Sequence, residues 1–282
     1  MLLIQFLNAL QFSMTLFLLA VGLTIIFGLM KIVNLAHGSL YMIGAYLGLS
    51  ITNYTDSFWL ALVIAPILTA SIGAILYSLL FKRIQNADPM KQVLLTFGLI
   101  YIALDSVRLL WGTMSHSISA PYILSNSILL INEPYPSYRL FVIAIGLIVL
   151  FILYIILEKT KIGAKVRASV DDPETAQLLK INTDKILFYT FALGCGLAGL
   201  AGITVAPILG VEPGMDMEVL VLTLIVVVVG GPGSLKGAII GSLLIGFVDS
   251  FGKVYIPQLA QIIIYAVMAL TILFKPDGLY KR

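Results

Sequence analysis

Charge is what this chain has least of. Its 17 basic and 14 acidic residues make up 11% of 282 positions, against roughly 25% in soluble domains, and its mean hydropathy is +1.06. A soluble single-domain enzyme is excluded by that deficit. Cysteine is nearly missing as well: Cys195 stands alone, which rules out an intrachain disulfide and a multi-cysteine metal site. The two histidines, His37 and His116, lie far apart and form no H-E-x-x-H zinc motif. No phosphate-binding G-x-x-x-x-G-K-[ST] loop exists either, since Gly252-Lys253 is followed by Val254 and Phe247 stands where the first glycine belongs. No catalytic or metal-ligating residue is therefore assigned, and any use of ATP requires another chain. A basic stripe of the kind that nucleic acid needs is absent too.

What the chain has is long uncharged runs, at 1–30, 61–81, 140–157, 186–211 and 254–274. A helical crossing takes about 20 apolar residues, so these read as spans of a polytopic, all-α membrane protein. A transmembrane β-barrel would alternate apolar and polar residues over segments of about ten, which these runs do not. No Lys or Arg precedes Lys31, so the first run lacks the basic start of a cleaved signal and is expected to be a retained span.

Basic residues set the expected orientation. The stretches 82–91, 158–186 and the tail from Lys275 hold twelve of the 17, which places all three in the cytoplasm by the positive-inside rule. The C-terminus is then cytoplasmic, and 112–138 and the acidic Glu212, Asp216 and Glu218 face outward. Spans follow at 5–29, 35–52, 58–81, 93–111, 139–157, 187–210, 219–229, 237–252 and 257–274. Whether 35–52 crosses or re-enters is left open, which gives eight to ten spans, some short or broken. The segments 219–229 and 237–248 read as half-length, because eleven helical residues rise about 16 Å across a core of about 30 Å.

Two breaks stand out, Asn34-Leu35-Ala36-His37-Gly38-Ser39 and Gly230-Gly231-Pro232-Gly233-Ser234. Interrupted segments in both halves of a membrane protein point to a transport path, and the two breaks either share one cavity or do not. His37 has three readings: a path-lining ring, a proton relay, or a histidine that caps a helix break. Small residues crowd 192–202, with Ala192/Gly196, Cys195/Gly199 and Ala198/Gly202 four apart, as are Gly44/Gly48 and Gly237/Gly241; such spacing predicts close helix packing. Asp105 with Arg108, and Asp249 with Lys253, read as structural pairs on helical faces.

In 158–186, Asp171-Asp172-Pro173-Glu174 predicts a short helix over 173–181: an Asp cap, Pro at the first position and an acid in the first turn. Ala176 and Leu179 give it an apolar stripe. It either lies on the bilayer surface or docks into a groove of a partner.

A resemblance rests on Gly22-Leu23-Thr24 to His37-Gly38, on Gly163-Ala164-Lys165-Val166-Arg167-Ala168 through Asp172-Pro173-Glu174-Thr175-Ala176 to Ile181-Asn182, on Phe191-Ala192-Leu193-Gly194 to Gly202, and on Gly230-Gly231-Pro232-Gly233-Ser234 to Gly237-Ala238. Together, in order, these blocks resemble the LivH-type permeases of branched-chain amino acid ABC transporters. The resemblance implies a single permease domain over 1–282 in the inner (plasma) membrane, with 158–186 as its cytoplasmic coupling loop. It implies as partners a second permease, two cytoplasmic ABC ATPases that hold ATP and Mg, an extracytoplasmic solute-binding protein and the lipid bilayer; this chain itself binds no cofactor. Glu174-Thr175-Ala176 is similar to the Glu-Ala-Ala helix of importers, with Thr175 departing from Ala. The coupling set is then Gly163, Arg167, Asp171, Asp172, Pro173, Glu174 and Ala176. The path set is Asn34, His37, Gly38, Ser39, Gly230, Gly231, Gly233 and Ser234. The implied cargo is a branched-chain or other hydrophobic amino acid. Urea or short-chain amides are the alternative, and an ATPase-independent transporter or channel is a more distant one.

Overall fold

The computed structural model describes residues 2–30, 34–85, 87–130 and 133–280. Helices dominate: α1 Leu2–Met30, α2 His37–Thr55, α3 Phe58–Ile84 with a π turn at Tyr77–Phe81, α4 Pro89–Trp111, and α5 Ser137–Lys159 ending in a second π turn. After them come α6 Lys161–Asp171, α7 Pro173–Leu178, α8 Thr183–Leu209, α9 Met215–Gly230, α10 Leu235–Tyr255 and α11 Ala260–Phe274. A hairpin, β1 Ser127–Leu130 with β2 Glu133–Pro136, lies between α4 and α5. Among the described residues, seven helices are long and apolar enough to cross a membrane: α1, α3, α4, α5, α8, α10, and α11 with the turn before it.

Local sequence explains most boundaries. Asp88 accepts a hydrogen bond from the Met90 amide at 2.8 Å, and Pro89 occupies the first position of α4, where its missing N–H costs nothing. Ser57, Asn182 and Ser234 cap α3, α8 and α10 in the same way. Gly112 and Gly210 stop α4 and α8 with φ of 87° and 81°, a region that glycine enters freely.

Small residues bring the central helices into close contact around a core of large side chains such as Tyr41, Tyr46, Phe17 and Phe191. α8 runs through the bundle beside α1, α2 and α3; Gly202 abuts the Tyr41 carbonyl, Gly194 faces Gly22, and Cys195 packs against Gly73. The pairs four apart in 192–202 thus serve as contacts between backbones. α1 and α8 are mostly buried, whereas α3, α4, α5 and α11 keep most of their apolar surface exposed, as helices that face lipid or another membrane subunit do. Asp105 and Arg108 pair at 3.5 Å, and Lys253 meets Asp249 at 2.7 Å.

Several expected boundaries move. α10 is not half-length: it runs 21 residues, about 31 Å, because Gly237 and Gly241 lie against Gly230 and Val226 of α9 and Ser234 starts the helix early. α9 is short, at 16 residues, about 24 Å. α7 stops at Leu178 rather than 181, with Lys180 at φ 60°. α6 and the hairpin had no counterpart in the sequence reading. Where eight to ten spans were expected, the described residues form a helical bundle with seven long apolar helices.

Candidate translocation and coupling sites

α2 starts deep inside the bundle. The His37 ring donates through Nε2 to the Leu19 carbonyl at 3.2 Å, and Gly22 faces the same ring. Leu19 lies eleven residues before the end of α1, about 16 Å along its axis. His37 therefore stands well back along α1 from Met30; Lys31, Ile32 and Val33 lie outside the described residues. Asn34 makes the turn, its Oδ1 accepting from the Ala36 amide at 3.1 Å and its carbonyl from the His37 amide at 3.2 Å.

Against this turn lies the start of α9. Ser39 Oγ donates to Asp216 Oδ2 at 2.7 Å, and a Cβ on Gly38 would stand 2.6 Å from the Asp216 carbonyl oxygen. Asn34, His37, Ser39 and Asp216 are all buried. Asp216, read from sequence as part of an outer acidic loop, is instead inside. An acid in the first turn of an apolar helix was the available signal, since ionisable groups within membrane segments tend to be functional.

The second break sits at the other end of α9. Gly231 and Gly233 take φ of 103° and 79°, and Gly233 packs on Gly28 near the end of α1. The tail covers this turn: the amides of Leu279 and Tyr280 donate to the carbonyls of Val229 and Gly230 at 2.8 and 3.0 Å, and so satisfy groups that a helix C-terminus leaves free. A cavity of about 240 Å³ opens beside it, lined among others by Ile25, Gly28, Arg167, Gly233, Ser234 and Lys236. Residues 34–39 do not line this cavity. The second break shares it with Glu158 and Arg167 of the loop 158–186.

That loop is built on close contacts. Gly163 leaves no room for a side chain against the Leu157 carbonyl, so α6 folds tightly back onto the end of α5. Arg167 donates to the same carbonyl and lies 3.8 Å from Glu158. Asp172 caps α7: the Thr175 amide donates to Oδ1 at 3.0 Å and the Thr175 hydroxyl to Oδ2, which holds the Asp172 carboxyl below the usual carboxylate range. Thr175 thus reinforces the cap. Ala176 is buried, while Glu174, Leu178 and Leu179 are exposed, the two leucines at 83% and 69%. The side chains of Asp171 and Pro173 lie outside the described residues.

A family model described as the branched-chain amino acid transport system permease component matches residues 5–272. The high-affinity branched-chain amino acid transport system permease protein BraD of Pseudomonas aeruginosa is 27% identical, over 99% of this chain and 95% of its own length. LivH of Escherichia coli K12, named in the same way, is 26% identical over the same shares. The probable branched-chain amino acid permease LivH of Methanocaldococcus jannaschii is 27% identical over 96% of this chain and 90% of its own. Among solved structures, PsaBC from Streptococcus pneumoniae in complex with Fab is similar with a TM-score of 0.50 and 13% identity, over 95% of this chain and 89% of that one; this likeness bears on fold alone.

Proposed function

This chain belongs to the branched-chain amino acid transport system permease family, and from that premise we propose that it is a permease subunit of an ATP-driven importer of branched-chain or other hydrophobic amino acids. ATP hydrolysis belongs to partner subunits. The chain sits in the inner membrane beside a second permease, two cytoplasmic ATPases and an extracytoplasmic binding protein, with the end that bears Lys82, Arg83, 158–186 and the C-terminus in the cytoplasm. α2 and α9 add partial crossings to the seven long helices, which gives nine spans and an outward N-terminus.

One observation carries the coupling assignment. α7 is capped at its start by Asp172 and held at its end by Gln177, which donates to Thr183 at 3.1 Å, yet it presents Glu174, Leu178 and Leu179 outward. An exposed apolar and acidic helix face that the bilayer does not bury fits a protein groove. Force on α7 passes through α6 to Arg167 and the 230–234 turn, where the cavity opens; rocking of the two permeases then exposes the path to alternate sides. Asn34, His37, Gly38 and Ser39 lie deeper on that path, and the 230–234 turn stands at its cytoplasmic mouth.

Uptake of labelled leucine and of urea, measured with active and with catalytically dead ATPases, tests this. Leucine uptake that disappears with the dead ATPase is the expected result. Urea uptake alone would change the cargo, and uptake indifferent to the ATPase would overturn the mechanism.

A further inference from the structure

Two carboxylates on long apolar stretches are buried, and they are treated differently. Asp249 is neutralised by Lys253 at 2.7 Å. Asp216 is 2% exposed, and among the described residues no cation pairs with it. Its Oδ2 takes the Ser39 hydroxyl, while its Oδ1 has no hydrogen-bond partner. On the 34–39 turn that Ser39 joins to it, Asn34 Nδ2 and His37 Nδ1 are also buried without partners. Buried polar groups are costly unless paired, so three such atoms around one turn mark a place built to bind something polar.

The same turn supplies the opposite charge. α2 is 19 residues long and no side chain caps its first turn at Ala36, and a helix start carries partial positive charge on N–H groups that lack intrahelical partners. Gly38 brings this start against Asp216, and Ser39 joins the two by one hydrogen bond. A carboxylate that seeks a cation and a helix start that seeks an anion thus stand within a few ångströms, about halfway along α1.

We propose that the abutting starts of α2 and α9 bind the charged ends of an α-amino acid, Asp216 Oδ1 taking the ammonium group and the N–H groups of Gly38 and Ser39, next after the His37 amide that Asn34 already occupies, the carboxylate. This rests on the importer reading above and deepens it, since it makes the permease selective for a zwitterion and leaves the apolar side chain to Leu220 and its neighbours. Urea and simple amides lack the ammonium group that Asp216 would pair with.

The test uses the whole importer, this chain with its partner permease, ATPases and binding protein, in proteoliposomes supplied with ATP. Asp216→Asn keeps an oxygen for the Ser39 hydroxyl and removes the charge; Ser39→Ala removes the hydroxyl and keeps the charge. Maximal leucine uptake at saturating loaded binding protein is expected to fall at least about tenfold in Asp216→Asn, the scale of one charge-assisted contact, and to fall by a smaller factor, up to about threefold, in Ser39→Ala, whose hydroxyl positions the carboxylate through one hydrogen bond. Wild-type uptake in Asp216→Asn overturns the proposal. So does an equal fall in both, which makes the pair a clasp between helices. A second measurement does not need the Asn variant to assemble: alkylation of Ser39→Cys in the importer cycled through its nucleotide states. Leucine is expected to slow it and 4-methylpentanoate, which lacks the ammonium group, is not. Equal protection by both, or no alkylation in any state, overturns the site. A wild-type complex that imports no amino acid instead removes the importer reading and this proposal with it, an outcome distinct from a variant that matches a working wild type.

Discussion

Gly44 of α2 faces Gly199 of α8 so closely that a methyl group on Gly44 would meet the Gly199 Cα. On its other side Gly199 faces the Thr69 side chain of α3, so three helices converge where neither glycine has a substitute. Backbone has nowhere to yield at such a contact.

Gly44→Val is therefore expected to cost about 1–3 kcal/mol by overpacking. Gly98, which has open space around it in α4, serves as control, and Gly98→Ala is expected to be neutral or slightly stabilising. Thermal unfolding in detergent, followed by tryptophan fluorescence, reads both; equal melting temperatures would sink the packing argument.

Glu174→Lys reverses a charge on the exposed face of α7 and is expected to abolish co-purification of the ATPases while membrane insertion stays intact. Unchanged co-purification would remove α7 as the coupling element.

Thr175→Ala removes one hydrogen bond to Asp172 but leaves the amide bond at 3.0 Å, so ATPase association is expected to stay within about threefold. Asp172→Ala removes both and is expected to weaken it further. Because the Asp172 carboxyl is held low, its contribution is present at neutral pH and is lost only as pH falls through that lowered value. Association that weakened at mild acidity through this cap would contradict the assignment.

Gly231→Ala forces a side chain into φ 103° and against the Tyr280 carbonyl, 2.5 Å from the new Cβ. The tail is expected to detach from Val229 and Gly230. Limited proteolysis of the C-terminus, faster than in wild type, would register this; an unchanged rate would deny the tail its role as cover for the end of α9.

His37→Ala removes the bond to the Leu19 carbonyl and the ring that fills the space before Gly22. Leucine uptake is expected to fall with assembly preserved. Full uptake would leave His37 as a packing residue.

The helical membrane character, the break at 230–234 and the cap of α7 were legible because each is written locally. Apolar length sets a span, Gly-Gly-Pro-Gly ends a helix, and Asp-Pro-Glu starts one. The length of α10 was misread because its glycines look like an interruption in one dimension and are contacts with α9 in three. α6 went unread for a related reason: its residues alternate charge with small apolar side chains, and only packing against the end of α5 at Gly163 makes the turn before it.

By itself, then, the sequence determined the phase in which each segment sits and where the chain bends, since transfer out of water and helix capping act over a few residues. Tertiary structure decided which bends meet. Asp216 was placed outside by its neighbours in sequence and inside by Ser39, which lies 177 positions away. A lone carboxylate is kept in an apolar bundle only by partners that fold brings to it, and no local rule names them.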